Sequence, residues 1–233
     1  MQQFYRTGAQ PCPYLTGEME RKVITDLLGD NPQELYNELS RAGFRRSHHY
    51  AYRPVCNGCA ACVPVRIPVE RFVSQRSGAR LARLNADLQR IVLPATATED
   101  GFELFTRYLA SRHADSDMAG MGYDDYRAML EDSPLETVLI GLADAEGALA
   151  GACLTDVLDD GLSAVYSFYR PEDSRRSLGT YLVLQLIEQA RELSLPYVYL
   201  GYWIPGSRKM TYKTRFQPLE ALGPAGWYEF KMA

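Results

Sequence analysis

From Leu135 to Trp203, short apolar runs are broken at regular intervals by turn residues, and no other stretch limits the possible folds so tightly. "LETVLIGLA", "ALAGACLTDVL" and "LSAVYSFY" are each of strand length, and "AEG" and "DDG" between them are turn sequences, so the segment reads as a three-stranded antiparallel meander. A polar loop, "RPEDSRRSLGT", follows. Beyond it, "LGTYLVLQLIEQARELS" sets Leu178, Leu182, Leu186, Ala190 and Leu193 on one face of a helix. Pro196 cannot extend that helix, and "YVYLGYW" reads as a further buried strand.

Three strands, a polar loop, a helix and a strand, in that order, resemble the centre of the GNAT acyltransferase fold. In that fold the loop and the helix start hold an anionic acyl carrier on free backbone amides. Within "RRSLGT", Arg176 and Gly179 match the R-x-x-G portion of the carrier loop. Tyr181 stands where a second small residue is usual, which counts against coenzyme A. The fold class expected is therefore α/β, with a GNAT-like core in residues 96–233 and an N-terminal cysteine- and arginine-rich subdomain in residues 1–95. No flexible linker separates the two, so they are expected to share an interface.

In the first segment, "NPQELYNELSRAG" is a short helix: Asn31 is in capping position, Pro32 suits its first turn and Gly43 its end. "HHYAYRPV" and "CVPVRIPVERF" alternate like strands and flank a loop with Cys56, Cys59 and Cys62 in C-x2-C-x2-C. Cys12 is a candidate fourth thiolate. Such a set suits zinc or an iron–sulfur cluster, and the competing reading is four small buried thiols. Helices are also expected across Ala79–Asn85, after Thr98 as cap, and across Gly122–Glu131. Cys153 reads as a core residue.

Five cysteines in a chain of 233 residues that opens without an apolar leader point to reduced thiols, and no apolar run reaches the roughly 18 residues of a membrane span. The chain therefore reads as cytoplasmic. A formal charge of -4 does not exclude nucleic acid, because arginines gather between Arg41 and Arg90 while acids gather from 99 to 160. His48 and His49 are adjacent in what reads as a strand, so they point to opposite faces. His113, at a helix end, serves either as a dipole partner or in function. "YLGYWIPGSRKMTYKTRFQPLE" carries a strand into Arg208, Lys209, Lys213 and Arg215 beside tyrosines, a surface suited to an anionic, stackable ligand.

Taken together, "GFRRSHHYAYRPVCNGCAACVPVRIPVERF", "SPLETVL", "VYSFYRPEDSRRSLGTYLVL" and "YVYLGYWIPGSRKMTYKTRFQPLE" resemble the aminoacyl-tRNA–protein transferases of the N-degron pathway, and most closely their short bacterial aspartate/glutamate leucyltransferase branch. The resemblance runs over nearly the whole chain. It implies transfer of leucine from leucyl-tRNA to the α-amine of proteins that begin with Asp or Glu. No cofactor is needed for such chemistry. Arg45 and Tyr50 fall at the family's R-S-x-x-Y stretch, Ser177, Gly179 and Tyr181 at its helix-start loop, and Lys209, Tyr212 and Lys213 at its K-M-x-Y-K. The resemblance thus implies His113, Lys213 and Tyr212 as catalytic residues. Arg45, Tyr50, Arg175, Arg176, Ser177, Gly179 and Lys209 are implied on the substrates, with Arg45, His113 and Lys213 around the acidic acceptor residue and Arg175, Arg176 and Lys209 at the tRNA end. The rival readings are a coenzyme A dependent N-acetyltransferase and a zinc-stapled RNA-binding module without activity.

Overall fold

The computed structural model describes residues 2–114, 117–207 and 209–231, so Arg208 lies outside the described residues. The first strands are β1 (Tyr5–Arg6), β2 (Gln10–Pro11), β3 (Met19–Glu20) and β4 (Lys22–Asp26), followed by helix α1 (Pro32–Arg41). A hairpin of β5 (Arg45–Ser47) and β6 (Tyr50–Pro54) precedes the cysteine loop, and β7 (Val63–Pro68), α2 (Arg76–Leu84) and β8 (Gln89–Pro94) come after it. The remainder is α3 (Glu99–Arg112), α4 (Tyr123–Glu131), β9 (Thr137–Ala143), β10 (Leu149–Leu158), β11 (Gly161–Tyr169), α5 (Leu178–Glu192), β12 (Tyr197–Trp203), β13 (Leu219–Gly223) and β14 (Gly226–Phe230).

Local chemistry explains the helix ends. Thr98 Oγ1 accepts a hydrogen bond from the Gly101 amide at 3.1 Å, capping α3 as its sequence predicts. After α1 the chain turns at Gly43, whose φ of +84° leaves no room for a side chain: a Cβ there would meet Pro64 Cγ at 2.7 Å. Helix α5 buries Leu178, Leu182, Leu186 and Ala190, whereas Leu193, at its C-cap, is exposed.

Strands β9, β10 and β11 form the expected meander within an eight-stranded sheet of order β14-β13-β7-β12-β11-β10-β9-β8. Among the described strands only β11 and β12 run parallel, joined by the α5 crossover. A four-stranded sheet, β1-β4-β6-β5, comes wholly from the first segment. That segment also supplies β7 and β8 to the large sheet, so a division at residue 95 is not a division between sheets. The cysteine loop is the passage from one sheet to the other, since β6 belongs to the small sheet and β7 to the large one. His48 and His49 form the β5–β6 turn rather than a strand, with His48 at a φ of 52°. Two adjacent strand residues would face opposite ways; here the turn lets His48 look inward while His49 is exposed.

The two sheets are locked by apolar packing and by one buried ion pair. Leu27, Tyr36, Leu39 and Ala51 from the first segment pack with Leu135, Leu158 and Tyr199. Beside them Arg46 Nη2 meets Asp156 Oδ1 at 2.7 Å with both side chains at 0% exposure, and Thr137 Oγ1 donates to the same carboxylate at 2.9 Å. Removal of one partner leaves a buried charge without compensation, which costs about 3–5 kcal/mol. Arg46→Met and Asp156→Leu singly are each expected to lower the urea midpoint strongly. The double variant should recover most of the loss, and equal losses in all three would contradict a paired role.

Candidate functional site

Strands β11 and β12 pair over only three rungs, from Gly161–Tyr197 to Ser163–Tyr199, and then part. A bulge in β11 falls at the same place, where its register with β10 shifts between Leu154 and Thr155. Arg45 reaches from β5 into this opening and donates from Nη2 to the carbonyls of Ala164 at 2.7 Å and Val165 at 3.1 Å. Its guanidinium lies directly on Gly201 of β12, where a Cβ would stand 1.6 Å from Nη1. Only glycine accommodates this approach, and Gly201 also holds a φ of +71°. A glycine inside an apolar strand pattern signals a bulge or a close approach, and "YLGYW" carried that signal for the Gly201–Arg45 contact.

Around this opening lies a cleft of about 670 Å³. Seven tyrosines line it, Tyr14, Tyr50, Tyr52, Tyr108, Tyr166, Tyr202 and Tyr212, together with His48 and His113. Five cations also line it, Lys22, Arg45, Arg46, Lys209 and Lys213, and among the described residues no Asp or Glu does. Lys22 is neutralised by Glu20 at 2.9 Å, and Arg46 by Asp156. Arg45, Lys209 and Lys213 have no carboxylate partner among the described residues, so the cleft carries an unbalanced positive charge. Its apolar lining includes Met118, Met121 and Met129 with Leu182, Leu186 and Leu200.

Lys213 is held in the 3-10 turn Thr211–Arg215 and is only 7% exposed. Its Nζ donates to the Tyr202 carbonyl at 2.5 Å. Burial, and then the Arg45 charge, push its ammonium down from the usual 10.5 to about 7. His113 lies 3.5 Å through Nε2 from the Tyr108 hydroxyl, and burial followed by the charges of Lys209 and Arg112 hold its imidazole below the ordinary histidine value. Burial, then Cys153, raises the Tyr212 phenol to about 12, so this hydroxyl stays a donor at neutral pH. Cys153 lines the cleft, and burial lifts its thiol to about 11.

Of the residues singled out from the sequence, the structure gathers Arg45, Tyr50, His113, Gly179, Lys209, Tyr212 and Lys213 into this one cleft. Arg46, the arginine of R-S-x-x-Y itself, is the structural partner of Asp156, while Arg45 beside it enters the opening. Arg176 is turned away: Nε donates to Asn85 Oδ1 at 2.9 Å and Nη2 contacts Asp87. Arg175 and Ser177 open onto a second cavity instead. Gly179 lets the Tyr169 ring approach α5, since a Cβ there would meet that ring at 2.8 Å. Tyr52, Tyr202 and the methionines were not legible as site residues, because the contacts that assemble them join distant parts of the chain.

Of the cysteines, Cys153 lines the cleft, and Cys62 stands near enough to act on the cleft tyrosines Tyr14 and Tyr202. Cys56, Cys12 and Cys59 all act on Cys62, whose thiol burial chiefly raises to about 11, so the four share a neighbourhood. Cys56 Sγ sits 3.5 Å from the Arg21 amide and 3.7 Å from its carbonyl. Among the described residues no group of three or more His, Cys, Asp or Glu side chains is drawn together as an ion site.

The Lys213 ammonium titrates near 7 in the folded chain and near 10.5 in the free one. Below pH 7 both states are protonated and the folded state bears the whole cost of the buried charge; the cost fades as pH rises from 7 toward 10.5. Lys213→Met is therefore expected to melt above the unaltered protein at pH 6, with the difference narrowing by pH 9. A difference independent of pH would contradict the burial of a charge.

Comparison with known proteins gives consistent matches. A family model described as arginine-tRNA-protein transferase, C terminus, matches residues 100–223, and its N-terminus counterpart matches residues 10–80. A protein named aspartate/glutamate leucyltransferase from Paramagnetospirillum magneticum is 55% identical, over 97% of this chain and 93% of its own. The protein of the same name from Parvibaculum lavamentivorans is 56% identical over 97% and 93%, and that from Granulibacter bethesdensis 54% over 96% and 84%. Among solved structures, FemX overlaps 81% of this chain and 64% of its own at 10% identity and a TM-score of 0.48.

Proposed function

The chain belongs to the arginine-tRNA-protein transferase family, and we propose that within it the protein moves leucine from leucyl-tRNA to the α-amine of proteins beginning with aspartate or glutamate, marking them for N-degron degradation in the cytoplasm. The observation that carries this reading is the cleft itself, rich in tyrosine, with two uncompensated cations, Arg45 and Lys209, a third group, Lys213, that titrates near neutrality, and no carboxylate among its described lining residues. Such a site attracts an acidic chain terminus and the anionic end of a charged RNA. It offers an arginyl side chain no countercharge among the described residues, whereas Met118, Met121, Met129 and the leucines suit a leucyl side chain.

The chemistry asks little beyond placement, because the ester is already activated. Arg45, fixed by the Ala164 and Val165 carbonyls, keeps its remaining N–H groups for the acceptor's carboxylate. Lys213, neutral in a large fraction of molecules at pH 7, takes a proton from the acceptor's α-ammonium and still donates to Tyr202. The freed amine attacks the ester carbonyl carbon. The oxyanion that forms is met by the Tyr212 hydroxyl, and the new C–N bond replaces the C–O bond as the terminal adenosine departs with a proton from Lys213; the second proton of the attacking nitrogen then passes to the neutral Lys213 and on to solvent, leaving a neutral amide. Tyr50 lines the acceptor side, while Lys209 and His113, close enough to act on one another, face the RNA terminus. The cysteine quartet braces the crossover between sheets and takes no step in the transfer, with or without zinc or an iron–sulfur cluster. No helix among the described residues is long and apolar enough to cross a membrane.

The test presents radiolabelled leucyl-tRNA, arginyl-tRNA or acetyl-CoA to the protein with peptides that differ only in their first residue. Label is expected on Asp-start and Glu-start peptides from leucyl-tRNA alone; transfer from acetyl-CoA or from arginyl-tRNA would overturn the reading. Lys213→Met is expected to lower kcat by about 10²–10⁴-fold and to abolish the rise of rate with pH near 7. His113→Asn should keep that rise. A profile lost in His113→Asn and retained in Lys213→Met would move the base to His113.

A further inference from the structure

On the far side of α5 from the cleft lies a second cavity of about 320 Å³ that the transfer chemistry does not use. Arg80 of α2, Arg175 of the loop before α5 and Arg215 of the 3-10 turn stand around it. All three are exposed, and none has a carboxylate partner among the described residues. Hydroxyls of Ser77, Ser177 and Thr180 add donors, and Leu81, Leu84 and Phe216 supply an apolar floor. Again no Asp or Glu lines it among the described residues. Among the described residues, most other surface arginines are paired, for example Arg41 with Asp160, Arg90 with Glu192 and Arg170 with Asp144. Three unpaired guanidinium groups around one hollow therefore mark a place for anions.

The cavity and the cleft share two walls. Helix α5 turns Gly179, Leu182 and Val183 toward the cleft and Ser177, Thr180 and Leu184 toward the cavity. The 3-10 turn gives Tyr212 and Lys213 to the cleft and Arg215 to the cavity. The start of α5 thus lies between the cleft and the cavity. Farther out, Arg76, Arg80 and Arg83 recur at i, i+4 and i+7 along the exposed face of α2, a stripe about 10 Å long at roughly 1.5 Å per residue.

We propose that this second cavity, with the arginine stripe of α2, docks the phosphodiester backbone of the donor tRNA just before its aminoacylated end, while the apolar floor receives the face of a base. This rests on leucyl-tRNA being the donor. Phosphate contacts of this kind position a nucleic acid and make its affinity salt-dependent.

The test compares two donors, intact leucyl-tRNA and leucine esterified to the ribose of adenosine, which carries no phosphodiester, on the unaltered protein and on the triple variant Arg80→Ala, Arg175→Ala, Arg215→Ala. The triple variant is expected to raise KM for leucyl-tRNA about 10- to 100-fold. Its slope of log KM against log salt should fall by about two, near 0.7 for each phosphate left without its arginine. Constants for the minimal donor and for the Asp-start peptide should not change, which also shows that the variant is folded. The triple Arg→Lys variant should retain part of the salt slope. An unaltered KM for leucyl-tRNA, or an equal loss on both donors, overturns the docking site alone. Failure of the unaltered protein to transfer leucine from either donor overturns the underlying reading as well.

Discussion

Everything in the site follows from the parting of β11 and β12 after three rungs. Two neighbouring parallel strands that diverge leave a wedge in the middle of a sheet, and a wedge in a packed interior must be filled or must hold a ligand. Here Arg45 fills its inner end, bound to the carbonyls of Ala164 and Val165 and seated on Gly201. The outer end is the cleft. The guanidinium is thus a structural plug and a fixed positive charge at once, and its charge is a cause of the depressed Lys213 ammonium.

Placing Arg45 is the business of the small sheet. Its hairpin of β5 and β6 carries Arg45 and Arg46 side by side, and the two point to different tasks. Arg46, paired with Asp156, welds the hairpin onto β10, and its neighbour is thereby delivered into the wedge. A buried ion pair adds little net stability compared with an apolar contact, but it fixes register, because a shifted hairpin would bury both charges unpaired. The cysteine loop, running directly from β6 to β7, ties the same two sheets covalently and needs no catalytic part to explain its position.

What could be read from the sequence depended on the range of the interactions. The meander, the polar loop and α5 were legible because apolar period and turn residues are local, and so were the Thr98 cap and the proline start of α1. Strands β4, β5, β8, β13 and β14 were not; "KVITD" and "RRS" are too short and too polar to alternate visibly. The family motifs brought seven residues to the cleft, yet they could not distinguish Arg45 from Arg46, because that choice rests on Asp156, 110 positions away. Arg176 misled for the same reason: its partners Asn85 and Asp87 lie about 90 positions earlier, and a loop arginine in a phosphate-binding pattern looks free until they are seen. The methionine wall belongs to a segment whose periodicity is helical but whose destination only packing reveals.

An unbalanced positive charge held by Arg45 is proposed to select the acceptor's first residue. Aspartate and asparagine are nearly isosteric, so the ratio of kcat/KM for Asp-start over Asn-start peptides isolates that charge. The ratio is expected to be about 100 or more in the unaltered protein, as when a buried charged donor loses its ionic partner, and to collapse toward one in Arg45→Met while transfer to Asn-start peptides falls far less. A ratio that survives Arg45→Met would place acceptor selection on another group and rule out Arg45 as the selecting charge.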